Sequence, residues 1–202
     1  LVGSEMCIRD RNANAGWSSG GNIHGFSHLH VSGTGGGPKY GNILFQPMTG
    51  DLNLADYSSA RTGERFGLDL YEVTLSKYNI GVRLTALDRA GFHEYTFPQS
   101  ASSKVLIDAG SCLTLNVESQ ELMASGVKIL SDHEIEGYST VRGGWNLGDP
   151  YTVYFYAIFD TPADAYAVWR GTSVLTGNEV DATGTEKSGA YFEFNTTESQ
   201  KI

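Results

Sequence analysis

No stretch of this chain repeats its apolar residues at the three-and-four spacing of a helix. Alternation at a period of two recurs instead, in short runs bounded by Gly, Asn, Ser or Pro. Residues 91–97 are the clearest case: His93, Tyr95 and Phe97 fall on one side, Phe92, Glu94 and Thr96 on the other, and Pro98 ends the run. Successive side chains of a strand point to opposite faces, so a chain patterned this way has to build its core between sheets. The class is all-β, as packed antiparallel sheets.

Composition agrees. Among 202 residues there are 25 Gly but only 5 Pro, with 11 Tyr and 9 Phe, the usage of a sheet protein with many turns. That length suffices for one large β domain with a substantial core, and no linker or internal repeat divides it. The formal net charge of −9, with no Lys or Arg cluster, argues against nucleic acid. It suits a neutral ligand better than an anionic one. No run reaches the length of a membrane-spanning helix. Two cysteines, Cys7 and Cys112, set no disulfide framework.

Taken in order, residues 1–11 show neither strand alternation nor turn chemistry and read as a foreign tail, with one domain over residues 12–202. Residues 42–47 read as a buried strand closed by Pro-Met-Thr-Gly, and 51–64 as a long loop. That loop holds Asp51, Asn53 and Asp56, but position 6 of a calcium loop would be Asp56 rather than Gly, and position 12 Thr62 rather than Glu. Strands follow at 68–75 and 80–87, joined by Ser-Lys-Tyr-Asn, then at 91–97, 104–109, 113–118, 127–130, 133–141 and 151–159. The last run is almost continuously apolar, which predicts a central strand covered on both faces. A helical turn after Pro162 and strands at 165–170 and 190–195 complete the chain. It stops at Gln200-Lys201-Ile202 as another strand begins, which reads as a truncation.

The chemistry concentrates in Gly25–Asn42: Gly-Phe-Ser-His-Leu-His-Val-Ser-Gly-Thr-Gly-Gly-Gly-Pro-Lys-Tyr-Gly-Asn. Extended, it puts Phe26, His28 and His30 on one side. The glycines let backbone N–H groups approach a ligand closely. Imidazoles, aromatics and exposed amides in one segment suit a polar ring such as a sugar; a packed His pair beside an ordinary turn is the competing reading. Trp17, in the polar stretch just before, either stacks on a sugar ring or plugs the end of the sandwich.

No catalytic set emerges from spacing. The Gly-x-Ser-x-Gly elbow of serine hydrolases is missing. His28 and His30, with His24, His93 or His133 as a third, have no zinc spacing. Glu134 and Glu136 flank Ile135 as the wet face of a half-buried strand, and no carboxylate pair of the kind glycosidases use is evident.

Gly25-Phe26-Ser27-His28-Leu29-His30-Val31-Ser32-Gly33-Thr34-Gly35 resembles the Gly-Phe-Ser-His-x-His-x-Ser-Gly-Thr-Gly signature of glycoside hydrolase family 92, the α-mannosidases. Further blocks follow in register: Gly41-Asn42-Ile43-Leu44, Pro47-Met48-Thr49-Gly50, Tyr57-Ser58-Ser59, Gly91-Phe92-His93-Glu94-Tyr95-Thr96-Phe97-Pro98, Gly144-Trp145 and Val153-Tyr154-Phe155-Tyr156-Ala157. The resemblance implies the N-terminal β-sandwich of that family, a supersandwich similar to galactose mutarotase, packed against a C-terminal helical toroid. It implies an exo-acting, inverting, calcium-dependent enzyme that acts on α-mannoside glycans in a periplasmic or secreted setting. The general acid, the general base and the calcium would lie in the toroid. This stretch alone would be inactive and hold no cofactor. Trp17, His28, His30 and Trp145 are then the candidates for the substrate pocket, the tryptophans stacking or walling it and the histidines orienting hydroxyls or supporting the loop. Many members follow Tyr-Ser-Ser with Ser-His-x-x-Glu, where this chain has Ala60-Arg61-Thr62-Gly63-Glu64-Arg65, which leaves linkage preference open. The alternative from another class is a free-standing carbohydrate-binding sandwich without an enzymatic partner.

Overall fold

Sixteen strands, all paired antiparallel, form three sheets in a computed structural model that describes residues 7–8, 20–29, 40–114, 119–144 and 148–202. In chain order they are β1 (Cys7–Ile8), β2 (Phe26–Ser27), β3 (Leu44–Thr49), β4 (Arg61–Phe66), β5 (Tyr71–Leu75), β6 (Ile80–Leu87), β7 (Ala90–Phe97) and β8 (Ser100–Asp108). The second half holds β9 (Gln120–Ile129), β10 (Glu134–Gly143), β11 (Tyr151–Ile158), β12 (Ala165–Arg170), β13 (Ser173–Leu175), β14 (Glu179–Thr183), β15 (Ser188–Thr196) and β16 (Gln200–Lys201). The sheets run β1-β2-β3-β8-β15-β12-β13, β11-β10-β9-β14 and β16-β7-β6-β5-β4. This is the antiparallel β-sandwich that the alternation predicts. Among the described residues no helix is long and apolar enough to cross a membrane.

The core follows from the pleat. Register along β3, β8 and β15 puts Phe45, Ile107, Val105, Phe192 and Phe194 on one face of the large sheet. The four-stranded sheet stacks on it: Phe159 meets Phe192 at 4.8 Å, and the hydroxyls of Ser125 and Ser188 bond at 2.8 Å between sheets. The five-stranded sheet contributes Tyr71, Val73, Leu75, Val82, Leu84, Tyr95 and Phe97, all buried. Three sheets meet at Phe45, whose ring lies 6.0 Å from Phe155 and 5.4 Å from His93.

Several elements depart from the sequence reading. The predicted loop at 51–64 ends in a strand, since β4 begins at Arg61; its run Arg-Thr-Gly-Glu-Arg-Phe is polar because it is an edge with an irregular register around Gly63, at φ +63°. There Arg61 pairs with Glu64 at 3.1 Å, and the Tyr71 hydroxyl donates to Glu64 at 2.8 Å. β3 continues through Pro47, which costs no ladder bond because β2 is two residues long and faces Phe45 alone. β11 is not central. It is the edge of the four-stranded sheet, with Tyr154 78%, Tyr156 53% and Ile158 62% exposed. Tyrosine satisfies a continuous-apolar pattern yet tolerates water through its hydroxyl, and the run concealed a period of two. β9 starts at Gln120, earlier than the apolar cluster at 127–130, and no helix follows Pro162. β1 pairs with β2, Cys7 opposite Ser27, within the stretch read as foreign.

Candidate functional site

A cavity of about 970 Å³ opens where the three sheets meet. Its walls are the end of β2 and start of β3 (His28, Ile43, Phe45), the β6–β7 turn with Asp88 and Arg89, and the β11 side with Phe155. The two most distinctive sequence blocks therefore come together across space: His28 from the first, Gly91, His93 and Tyr95 from the later one.

The backbone leading into β3 is held in an uncommon shape. Tyr40, Gly41 and Ile43 have φ of 63°, 73° and 61°. For a β-branched residue such as Ile43 that is a genuine outlier, of order 1–3 kcal/mol. Asn42 between them anchors the bend: its carbonyl accepts from Ser27 Oγ at 2.7 Å and its Oδ1 from the Tyr151 hydroxyl at 3.3 Å. Tyr151 in turn accepts from Gln120 Nε2 at 2.6 Å and from the Tyr40 N–H at 3.2 Å. The segment that carries His28 is thus tied to two other sheet elements.

At the cavity's inner end His28 Nε2 and His93 Nε2 face each other at 2.5 Å, and the Tyr95 hydroxyl bonds His93 Nδ1. His93 is held edge-on by Phe45 at 5.4 Å and by Phe26 at 6.5 Å. Burial pushes the His28 pKa down to about 4 and that of His93 well below its usual 6.5, with the neighbouring His28 adding to the second shift. Burial raises Tyr95 well above 10.0. All three are neutral at pH 7, and the two rings share one proton-mediated bond rather than repelling.

Of the predicted site residues, the structure places His28 on the cavity; Trp17, His30 and Trp145 lie outside the described residues. Sequence reasoning did not select His93 and Tyr95 as site residues. The signal was their alternation with Phe97 on one strand face, since an imidazole among inward-facing aromatics needs a buried polar partner. The facing nitrogens of His28 and His93 are spent on each other, and among the described residues no three His, Cys, Asp or Glu side chains gather as metal ligands. Calcium takes six to eight oxygens, and the described residues that line the cavity gather no such set. Asn53 Oδ1 accepts from the N–H groups of Ala55 and Asp56, and Asp56 Oδ1 from that of Ser58, so their oxygens serve a local turn. The carboxylates among the lining residues are Asp88 and Asp160, both exposed.

The fold is shared with solved enzymes. The α-mannosidase BT3965 of Bacteroides thetaiotaomicron, assigned to family GH92, superimposes with a TM-score of 0.84 at 25% identity over 98% of this chain and 28% of its own. The same enzyme in complex with mannoimidazole matches with a TM-score of 0.84, 25% identity and 98% of this chain against 27% of that one. The family glycosyl hydrolase ccman5 matches in fold, with a TM-score of 0.69 and 22% identity over 94% of this chain and 26% of its own. The chain thus spans little more than a quarter of the solved relatives it matches. No curated protein matches it. A family model described as the glycosyl hydrolase family 92 N-terminal domain matches residues 4–202, and the chain belongs to that family.

Proposed function

We infer that residues 12–202 are the sandwich half of an exo-acting α-mannosidase, lending side chains to a sugar pocket that a second domain completes. The observation that supports this most is the superposition on a GH92 α-mannosidase, one form of which was solved with mannoimidazole, over 98% of this chain. In this reading the chain supplies shape and hydrogen bonds. The catalytic carboxylates, the calcium and the inverting displacement belong to a helical toroid encoded elsewhere in the parent protein. His28 orients hydroxyls from the cavity wall, and Trp17, His30 and Trp145 complete the sugar-facing rim. Stacking on an indole ring contributes roughly 1 kcal/mol beyond area burial.

The test is kinetic. The protein from the complete parent reading frame should release mannose from an aryl α-mannoside, lose that activity to a calcium chelator, and yield the inverted anomer first. The 202-residue chain alone should release none. Trp17→Ala in the complete protein should lower kcat/KM roughly fivefold or more. A complete protein without mannosidase activity would end this reading, and unchanged kinetics would remove Trp17 from the pocket.

A further inference from the structure

Two open strand edges border the same cavity. Tyr95 of β7 exchanges both backbone bonds with Ile202: its N–H donates to the Ile202 carbonyl at 2.8 Å, and its carbonyl accepts from the Ile202 N–H at 3.0 Å. Backbone groups along an antiparallel strand turn to alternate sides, so those of His93 and Gly91 turn the same way as those of Tyr95. β16 pairs with Phe97 and Thr96, and no strand among the described residues reaches His93 or Gly91 on that side. On β11, the Phe159 N–H donates to the His133 carbonyl at 2.9 Å. The same alternation spends the odd-numbered residues of β11 on β10 and turns the backbone of Tyr154, Tyr156 and Ile158 to the free side. Gly91, His93, Tyr95 and Ile202 line the cavity together with residues 153–160. Desolvated backbone groups need partners, and an added strand supplies them in a row.

We propose that the side of the cavity between β7 and β11 seats one further strand, formed by the residues that follow Ile202 in the parent protein and paired antiparallel with β7 back toward Ala90. The matching family model is an N-terminal domain, and this chain spans 28% of the α-mannosidase it superimposes on, so in such a protein most of the polypeptide follows the sandwich. In unbroken register Glu94 meets the first residue after Ile202, His93 the second, Phe92 the third and Gly91 the fourth. Ile202, opposite Tyr95, is buried, so the second and fourth residues turn into the cavity against Phe45, Phe155 and Ala157. The first and third turn to solvent. Lys201 already does so, its ammonium meeting Glu94 at 3.1 Å. The strand does not rest on the mannosidase activity. It takes the β7–β11 side of the cavity and leaves the β2–β3 end, with Ser27, His28 and Asn42, to the sugar.

The parent reading frame gives the first check. Apolar residues should stand at the second and fourth positions after Ile202; a proline or a charged residue at either overturns the proposal, since each of those residues must donate an N–H and enter an apolar space. In the complete protein, hydrogen exchange should slow about tenfold or more at His93 and Gly91 relative to the 202-residue chain. Phe92→Cys combined with a cysteine at the third residue after Ile202 should form a disulfide, because the two Cβ atoms face each other across a non-hydrogen-bonded pair. Thr85→Cys, one strand further from the edge, should not form it with the same partner. Equal exchange in the two chains overturns the strand. Protection without the Phe92→Cys disulfide overturns its continuity with β16 and assigns the cavity to another segment. Either failure in a protein that releases mannose leaves the mannosidase reading standing, and the kinetic test decides that reading by itself.

Discussion

The imidazole of His28 occupies the space that a side chain at position 91 would need: a Cβ built on Gly91 would overlap Cδ2, Nε2 and Cγ of that ring. The glycine is therefore required by a neighbour from a distant segment, not by its own backbone angles.

Gly91→Ala should displace His28, break its bond to His93, and cost about 1–3 kcal/mol in urea unfolding. Gly81→Ala on the adjacent strand is the control. Its Cβ would meet Thr96 at an ordinary 3.6 Å, and relief from glycine's entropy should stabilise by roughly 0.5 kcal/mol. Equal effects of the two substitutions would refute the His28 contact.

The two neutral histidines make stability depend on acid. Folding holds both pKa values below 6.5, so in the window beneath it the unfolded chain takes up protons that the folded chain refuses. The contribution is fully present above about pH 6.5. It is lost as pH falls, His28 ceasing to add to the loss only below about 4. Each refused proton lowers stability by about 1.4 kcal/mol per pH unit in that window. Urea midpoints at pH 7 and pH 5 should differ accordingly, and His28→Asn should flatten the slope. Equal stability at both pH values would contradict the burial of the pair.

Asp108, 1% exposed, accepts at Oδ2 from the Tyr57 hydroxyl and the Lys187 ammonium, each at 2.6 Å. Lys187→Met should destabilise by about 2 kcal/mol, because it leaves a buried carboxylate without its counter-charge, an effect that water around the partly exposed ammonium reduces. Adding Asp108→Asn should recover much of that loss. A double variant as unstable as the sum of the singles would show that the pair is not coupled.

Edge strand β11 exposes Tyr154, Tyr156 and Ile158 beside a row of backbone groups that no strand among the described residues pairs with. Such an edge templates association. Ile158→Lys should lower the apparent mass of the chain in light scattering at high concentration while shifting stability by no more than about 0.5 kcal/mol. An unchanged association state would point to another surface.

Much was legible from residue order. The period of two specified sheets. The turn Ser-Lys-Tyr-Asn placed the β5–β6 hairpin, and the two aromatic–histidine blocks specified the family. These are local signals, carried by residues a few positions apart. β4 escaped because its polar run obeys no alternation at an irregular edge, and β11 was misplaced because tyrosine counts as apolar in a pattern yet sits in water. The pairing of His28 with His93, 65 positions apart, belongs to tertiary structure alone. Stacking three sheets at Phe45 decides which buried imidazole finds which partner, since a desolvated polar group must be satisfied by whatever packing brings beside it.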